Sequence, residues 1–303
     1  MHRCARLHSL EHRKVKEMVS SSVILALYTV LVIIITVPIM VALLMKVKGK
    51  VKLAPFLLGL VVYFTFGVVC VAFINILFVN EGRPTAALIN GNIVVNSLYF
   101  AVVIGLLEEL GIYIAFKKIL VSYDEKSSAI MYSLGHAGLE AFLVSGPALF
   151  VYITCATALN ELGVDGFKEQ WADMQTVDID KIADVLLSMK FTDVLLMCLE
   201  RAIYFAMHIF LSIIVFYSVK RQTIQYFWIA VVLRGLGTIP GSIETFCNFP
   251  TGSAASWLLL LATIATCVLT GYIAVKLYKN YDTERVLLPS QLFKKNSTDM
   301  KMY

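Results

Sequence analysis

Charge is scarce along this chain. Asp, Glu, Lys and Arg make up 16% of its 303 residues, while 59% are hydrophobic and the mean hydropathy is +0.78. Soluble domains carry about 25% charged and 45–50% apolar residues, so the composition excludes that class and indicates a polytopic membrane protein. Cysteine is also thinly used: Cys4, Cys70, Cys155, Cys198, Cys247 and Cys267 stand singly, most of them in apolar runs, without a CxxC pair. Neither a disulfide framework nor a zinc ribbon follows from that spacing. The HExxH spacing of soluble zinc proteases is missing as well, and no internal repeat is visible. No secretory signal is expected, because the first apolar run is too long for one and no small-residue cleavage site follows it. The net charge of +5 matches Lys- and Arg-rich cytoplasmic loops and gives no reason to expect a nucleic-acid partner. The partner such a composition requires is membrane lipid.

What the chain does have is long apolar runs. A membrane span needs about 20 such residues, and seven candidates follow: 20–44, 54–79, 94–116, 129–157, 192–218, 224–240 and 256–277. The expected fold is therefore an all-α bundle of about seven transmembrane helices, its sixth short and Gly-interrupted. "KVKGKVK" from Lys46 to Lys52, Lys117 with Lys118, Lys220 with Arg221, and the polar tail 281–303 fall on one side. By the positive-inside rule that side is cytoplasmic, together with the C-terminus. Residues 1–17 are basic and would then lie outside; the reading that removes this conflict is a native start at Met18. The acidic stretch from Asn160 to Lys190 falls on the outer side. Within it Ile179, Ile182, Leu186 and Met189 recur at three- and four-residue steps, the pattern of a short helix on the membrane surface.

Several ionisable residues interrupt the apolar runs at overlapping depths. The third run has Glu108 and Glu109, the latter about 12 Å from Lys117 along a helix. The fourth has His136 and, one turn on, Glu140. The fifth has Glu200, Arg201 and His208, which can share one face, and the sixth has Arg234. Such groups are costly against lipid and must converge on a polar interior. Three uses fit: a structural charge network, a proton- or ion-coupled transport path, or hydrolysis inside the bilayer. For hydrolysis a glutamate serves as general base and a histidine as acid, base or metal ligand. Zinc takes three N or O ligands and keeps a fourth position open, which His136, His208 and one glutamate could supply from separate helices.

The strings "EELGIY", "GHAGLE" and "ERAIYFAMH", in that order on successive spans, resemble the motifs of the YhfC family of intramembrane metalloproteases. That family is related to the type II CAAX prenyl proteases and the wider CPBP group of bacterial membrane proteins. The resemblance runs over roughly residues 18 to 280, and "GHAGLE" is its most specific piece. It implies peptide-bond hydrolysis on a membrane-embedded peptide or protein substrate, in a bacterial plasma membrane, with Zn2+ as the metal. By the same likeness Glu108 or Glu109 activates water, and His136, His208 and Glu109 are the metal ligands. Glu140 and Glu200 orient the histidines, and Arg201 pairs with a carboxylate. Two places depart from the pattern. Ile112 stands before Tyr113 where the family has arginine, and Arg234 and Thr238 stand where it has a histidine and an aspartate. Arg234 could donate to an oxyanion, or pair with Glu108 or Glu109 in place of the cation missing at position 112. A catalytically inactive membrane scaffold or chaperone is the alternative that these departures leave open.

Overall fold

A computed structural model describes residues 18–171, 178–249 and 252–281. Among these the regular structure is all helix: α1 (Ser21–Gly49), α2 (Ala54–Phe78), α3 (Ala86–Gly91), α4 (Ile93–Ile119), α5 (Lys126–Gln170), α6 (Ile179–Ser188), α7 (Phe191–Lys220), α8 (Ile224–Cys247) and α9 (Ala254–Asn280). Seven of them, all but α3 and α6, are long and apolar enough to cross a membrane. The chain is an integral membrane protein built as a helix bundle. The sixth span is the full 24-residue α8 rather than the shorter run expected, because Gly235, Gly237 and Gly241 all continue the helix. The basic segment 1–17 and the tail beyond Tyr281 lie outside the described residues.

The expected loop from Asn160 to Lys190 needs correction. Helix α5 runs on to Gln170, broken only at Gly163, whose φ of 72° is a left-handed conformation that glycine adopts without strain. Residues 172–177 lie outside the described set, and α6 follows. Its start is capped by Asp178, whose side chain accepts from the Lys181 amide at 3.0 Å. Ala183 and Leu186 are its buried residues, as the three- and four-residue spacing requires.

The described residues divide into two compact units, one drawn from 18–36 and 142–199 and the other from 37–141 and 200–281. In the first, Asn160 ties α5 to the segment preceding α1, accepting from the Val19 amide at 2.8 Å and donating to the Val19 carbonyl at 2.9 Å. An ion pair between Lys168 and Asp180 links α5 to α6 at 2.5 Å.

The second unit is organised by glycines where helices cross. A Cβ at Gly105 of α4 would meet the Val231 carbonyl oxygen of α8 at 2.8 Å, and one at Gly235 would meet the Ala101 carbonyl oxygen at 2.9 Å. Small residues one turn apart, Ala101 and Gly105, thus let the α4 and α8 backbones touch, as in other membrane helix pairs. The same device joins α2 to α5: a Cβ at Gly59 would strike the Tyr132 carbonyl, and one at Gly135 the Phe56 carbonyl. Each crossing lies within one turn of an ionisable residue, Glu108 and Arg234 in one case and His136 in the other. A π-helical stretch from Tyr63 to Cys70 within α2 shifts the face that this helix presents. Gly67 leaves room there for the Tyr63 ring, which its own Cβ would approach at 2.6 Å.

Candidate functional site

Six ionisable side chains sit in the interior of the second unit. Glu108 and Glu109 come from α4, His136 and Glu140 from α5, His208 from α7 and Arg234 from α8, and all are buried. The Gly105–Gly235 crossing brings Arg234 to Glu108: the guanidinium Nε donates to Glu108 Oε2 at 2.6 Å. Its Nη2 donates to Glu140 Oε1 at 3.2 Å, so one arginine holds carboxylates from two helices. The other oxygen of Glu140, Oε2, lies in contact with His208 Nε2. The two guanidinium bonds are charge-assisted and strong in low dielectric, and they hold α4, α5 and α8 around one point.

The two imidazoles stand side by side, 5.2 Å between ring centroids. His136 is framed by tyrosines: Tyr132 Oη is 3.4 Å from its Nδ1, and the Tyr63 ring meets it edge-on at 5.1 Å. His136 Nε2 and His208 Nδ1 are buried without a hydrogen-bond partner among the described residues, as are both carboxyl oxygens of Glu109. Buried polar atoms are seldom left unpaired, and four around one cluster suit a site built to hold something.

One ligand atom each from Glu108, His136 and His208 lies within 4.8 Å of the other two. Two imidazoles and a carboxylate are a zinc donor set, and bonds of about 2.1 Å in tetrahedral array put the donors about 3.4 Å apart. Formal charge agrees, because ionised Glu108, Glu140 and Arg234 together carry one net negative charge. The donors therefore fit a divalent metal.

The structure brings together most of the ionisable residues singled out in the sequence and places the others apart. Glu108, and not Glu109 as expected, stands with the two histidines; Glu109, one residue further round α4, is buried beside them with neither oxygen hydrogen-bonded among the described residues. Glu140 adjoins His208 rather than its own-helix neighbour His136. Glu200 does not reach the histidines among its described contacts: it pairs with Arg201 at 3.0 Å, two turns above His208. Ile112 is fully buried in the apolar core, and Thr238 spends its hydroxyl on the Arg234 carbonyl at 3.0 Å. Tyr63 went unnoticed in the sequence, where an uncharged residue in an apolar run carries no mark except the nearby Gly67.

Comparison with known proteins bears on the same stretch of chain. A family model described as "YhfC intramembrane metalloprotease" matches residues 33–243, which span every residue of the cluster. The chain is also 26% identical over 148 residues to an uncharacterized membrane protein, YhfC, of Bacillus subtilis (strain 168). That match covers 47% of this chain and 55% of the relative, about half the length of each. No solved structure matches.

Proposed function

The chain belongs to the YhfC family, and from that premise we propose that it is a metal-dependent protease acting within the bilayer of a bacterial plasma membrane. The observation that carries this reading is the buried Glu108–His136–His208 group with unpaired nitrogens on both rings. These three would hold Zn2+, which when bound acidifies water and polarises a carbonyl. Hydrolysis adds hydroxide to the acyl carbon and a proton to the leaving amine. Glu109, with neither oxygen committed, is the group to take the proton from water and return it to the amine nitrogen. Glu140 sets the orientation of the His208 ring, and Arg234 anchors Glu108 and Glu140 together. Arg201 pairs with Glu200 away from this centre.

The C-terminal end of α9 is proposed to face the cytoplasm. Lysines gather at that end of the second unit: Lys220 donates to the Leu120 and Val121 carbonyls, Lys52 lies over Tyr123, and Lys126 over Tyr278 of α9. Such clustering marks the cytoplasmic face.

A second reading, an inactive scaffold, is favoured by one observation. Arg234 already neutralises part of the carboxylate charge that a metal would use. Metal content of the purified, detergent-solubilised protein decides between them. The protease reading expects stoichiometric zinc in the wild type and its loss in the His136→Ala, His208→Ala double variant. A metal-free wild type, or a double variant that keeps its zinc, removes it.

A further inference from the structure

We infer that the buried cluster meets water through a polar vestibule lined by Glu200, Arg201, Tyr204, Thr238, Ser242 and Glu244, at the opposite end of the helices from the lysines. The vestibule is made of two helix faces. On α7, Glu200, Tyr204 and His208 follow one another at four-residue steps. On α8, Arg234, Thr238 and Ser242 do the same. Glu244, near the end of α8, stands close enough to Glu200 and Arg201 to feel their charges, and it shares a hydrogen bond with Ser256 of α9.

Side-chain exposure falls steadily along this path: 27% at Glu200, 18% at Arg201, 9% at Glu140, 5% at Arg234 and none at His208. The narrow point is Tyr204. Its hydroxyl donates to the Gly237 carbonyl at 3.1 Å, Arg201 lies over its ring at 4.9 Å, and a Cβ at Gly241 would come within 3.2 Å of that hydroxyl. In the other direction the interior is closed by packed rings. Phe116 lies 5.0 Å from Tyr132 and 5.1 Å from Phe216, all three buried with Val215 in one apolar cluster. On α7 the four-residue series extends one buried polar step past His208, to Ser212, and is then interrupted by Phe216 of this plug, so among the described residues the ionisable groups nearest the cluster on that face, Glu200 and Arg201, lie toward the other end.

The meaning of the vestibule rests on the hydrolytic reading: it is where the water consumed enters and where a polar product leaves. Its existence is tested without activity. In a background with the native cysteines replaced, Ser242→Cys, Thr238→Cys and Val215→Cys are each exposed to a charged thiol reagent in detergent, with monodispersity confirming the fold. Cysteine at 242 should react fastest, cysteine at 238 more slowly, and cysteine at 215 not at all over the same interval. Adding Gly241→Leu should crowd Tyr204 and suppress labelling at 238 while sparing 242. Equal reactivity at 238 and 215, or no effect of Gly241→Leu at 238, overturns the vestibule. Loss of the metal result alone would end the hydrolytic reading and leave the labelling pattern intact, so the two failures are told apart.

Discussion

Arg234 Nε lies 2.6 Å from Glu108 Oε2, two residues 126 apart in sequence, joined where Gly105 and Gly235 let α4 and α8 touch. The resemblance to the family's motifs implies a histidine at this place on α8 and an arginine on α4. Here the cation sits on α8, and the α4 position is Ile112, fully buried among apolar neighbours. The guanidinium that meets Glu108 and Glu140 is therefore delivered from α8, and position 112 contributes only apolar packing.

That pairing makes the first prediction. Removing one member of a buried ion pair strands the other in low dielectric, at about 3–5 kcal/mol. Arg234→Ala should therefore lower the midpoint of thermal unfolding in detergent strongly. Glu108→Gln combined with it should restore part of the loss, and the same cycle with Glu109→Gln should show little coupling. Equal coupling at the two glutamates would contradict the observed pairing.

The second prediction concerns backbone contact. An added methyl at Gly105 must displace the Val231 carbonyl, whereas one at Gly91 meets nothing within 4 Å. Overpacking of this sort costs about 1–3 kcal/mol. Gly105→Ala should reduce thermal stability by that order and loosen the Arg234–Glu108 pair, while Gly91→Ala should leave the unfolding midpoint near wild type. Unfolding curves of the two variants side by side check it.

How far the sequence alone reaches is clear from these residues. Apolar runs located all seven long helices, since length and hydropathy are local properties. The convergence of Glu108, His136, Glu140, His208 and Arg234 was also legible, because charges in such runs have to meet one another. Rotation was not legible. Glu108 and Glu109 differ by about 100° around α4, and which one faces the histidines depends on the close approach at Gly105 and on helix packing. Glu200 was misjudged for a similar reason. Spacing put it on the His208 face but two turns away, where Arg201 is the nearer partner. The extension of α5 to Gln170 escaped notice because its last turns are polar.

Orientation gives the third prediction. Asp184 is exposed on α6, and Lys118 is exposed at the lysine-bearing end of α4. With an impermeant thiol reagent on intact cells, Asp184→Cys should label at once and Lys118→Cys only after lysis. The reverse order would invert the topology and place the vestibule on the cytoplasmic side.

The last prediction separates a protease from a scaffold built on the same fold. In the hydrolytic reading Glu109 moves the proton while Glu108, His136 and His208 hold the metal, so the four act as one unit. Loss of any member should then cost nearly as much as loss of all. Glu109→Gln is the informative change, because it is isosteric and Glu109 has no hydrogen-bond partner among the described residues to lose. It should abolish cleavage while leaving zinc content and thermal stability close to wild type. His136→Ala should abolish cleavage and zinc together. The measurement is the accumulation of uncleaved membrane proteins in cells carrying each variant at matched protein levels. Under the scaffold reading the substrate profiles of wild type, Glu109→Gln and His136→Ala would be identical. Arg234 would then be a purely structural cation, replacing by ion pairing the cohesion that a bound metal supplies elsewhere.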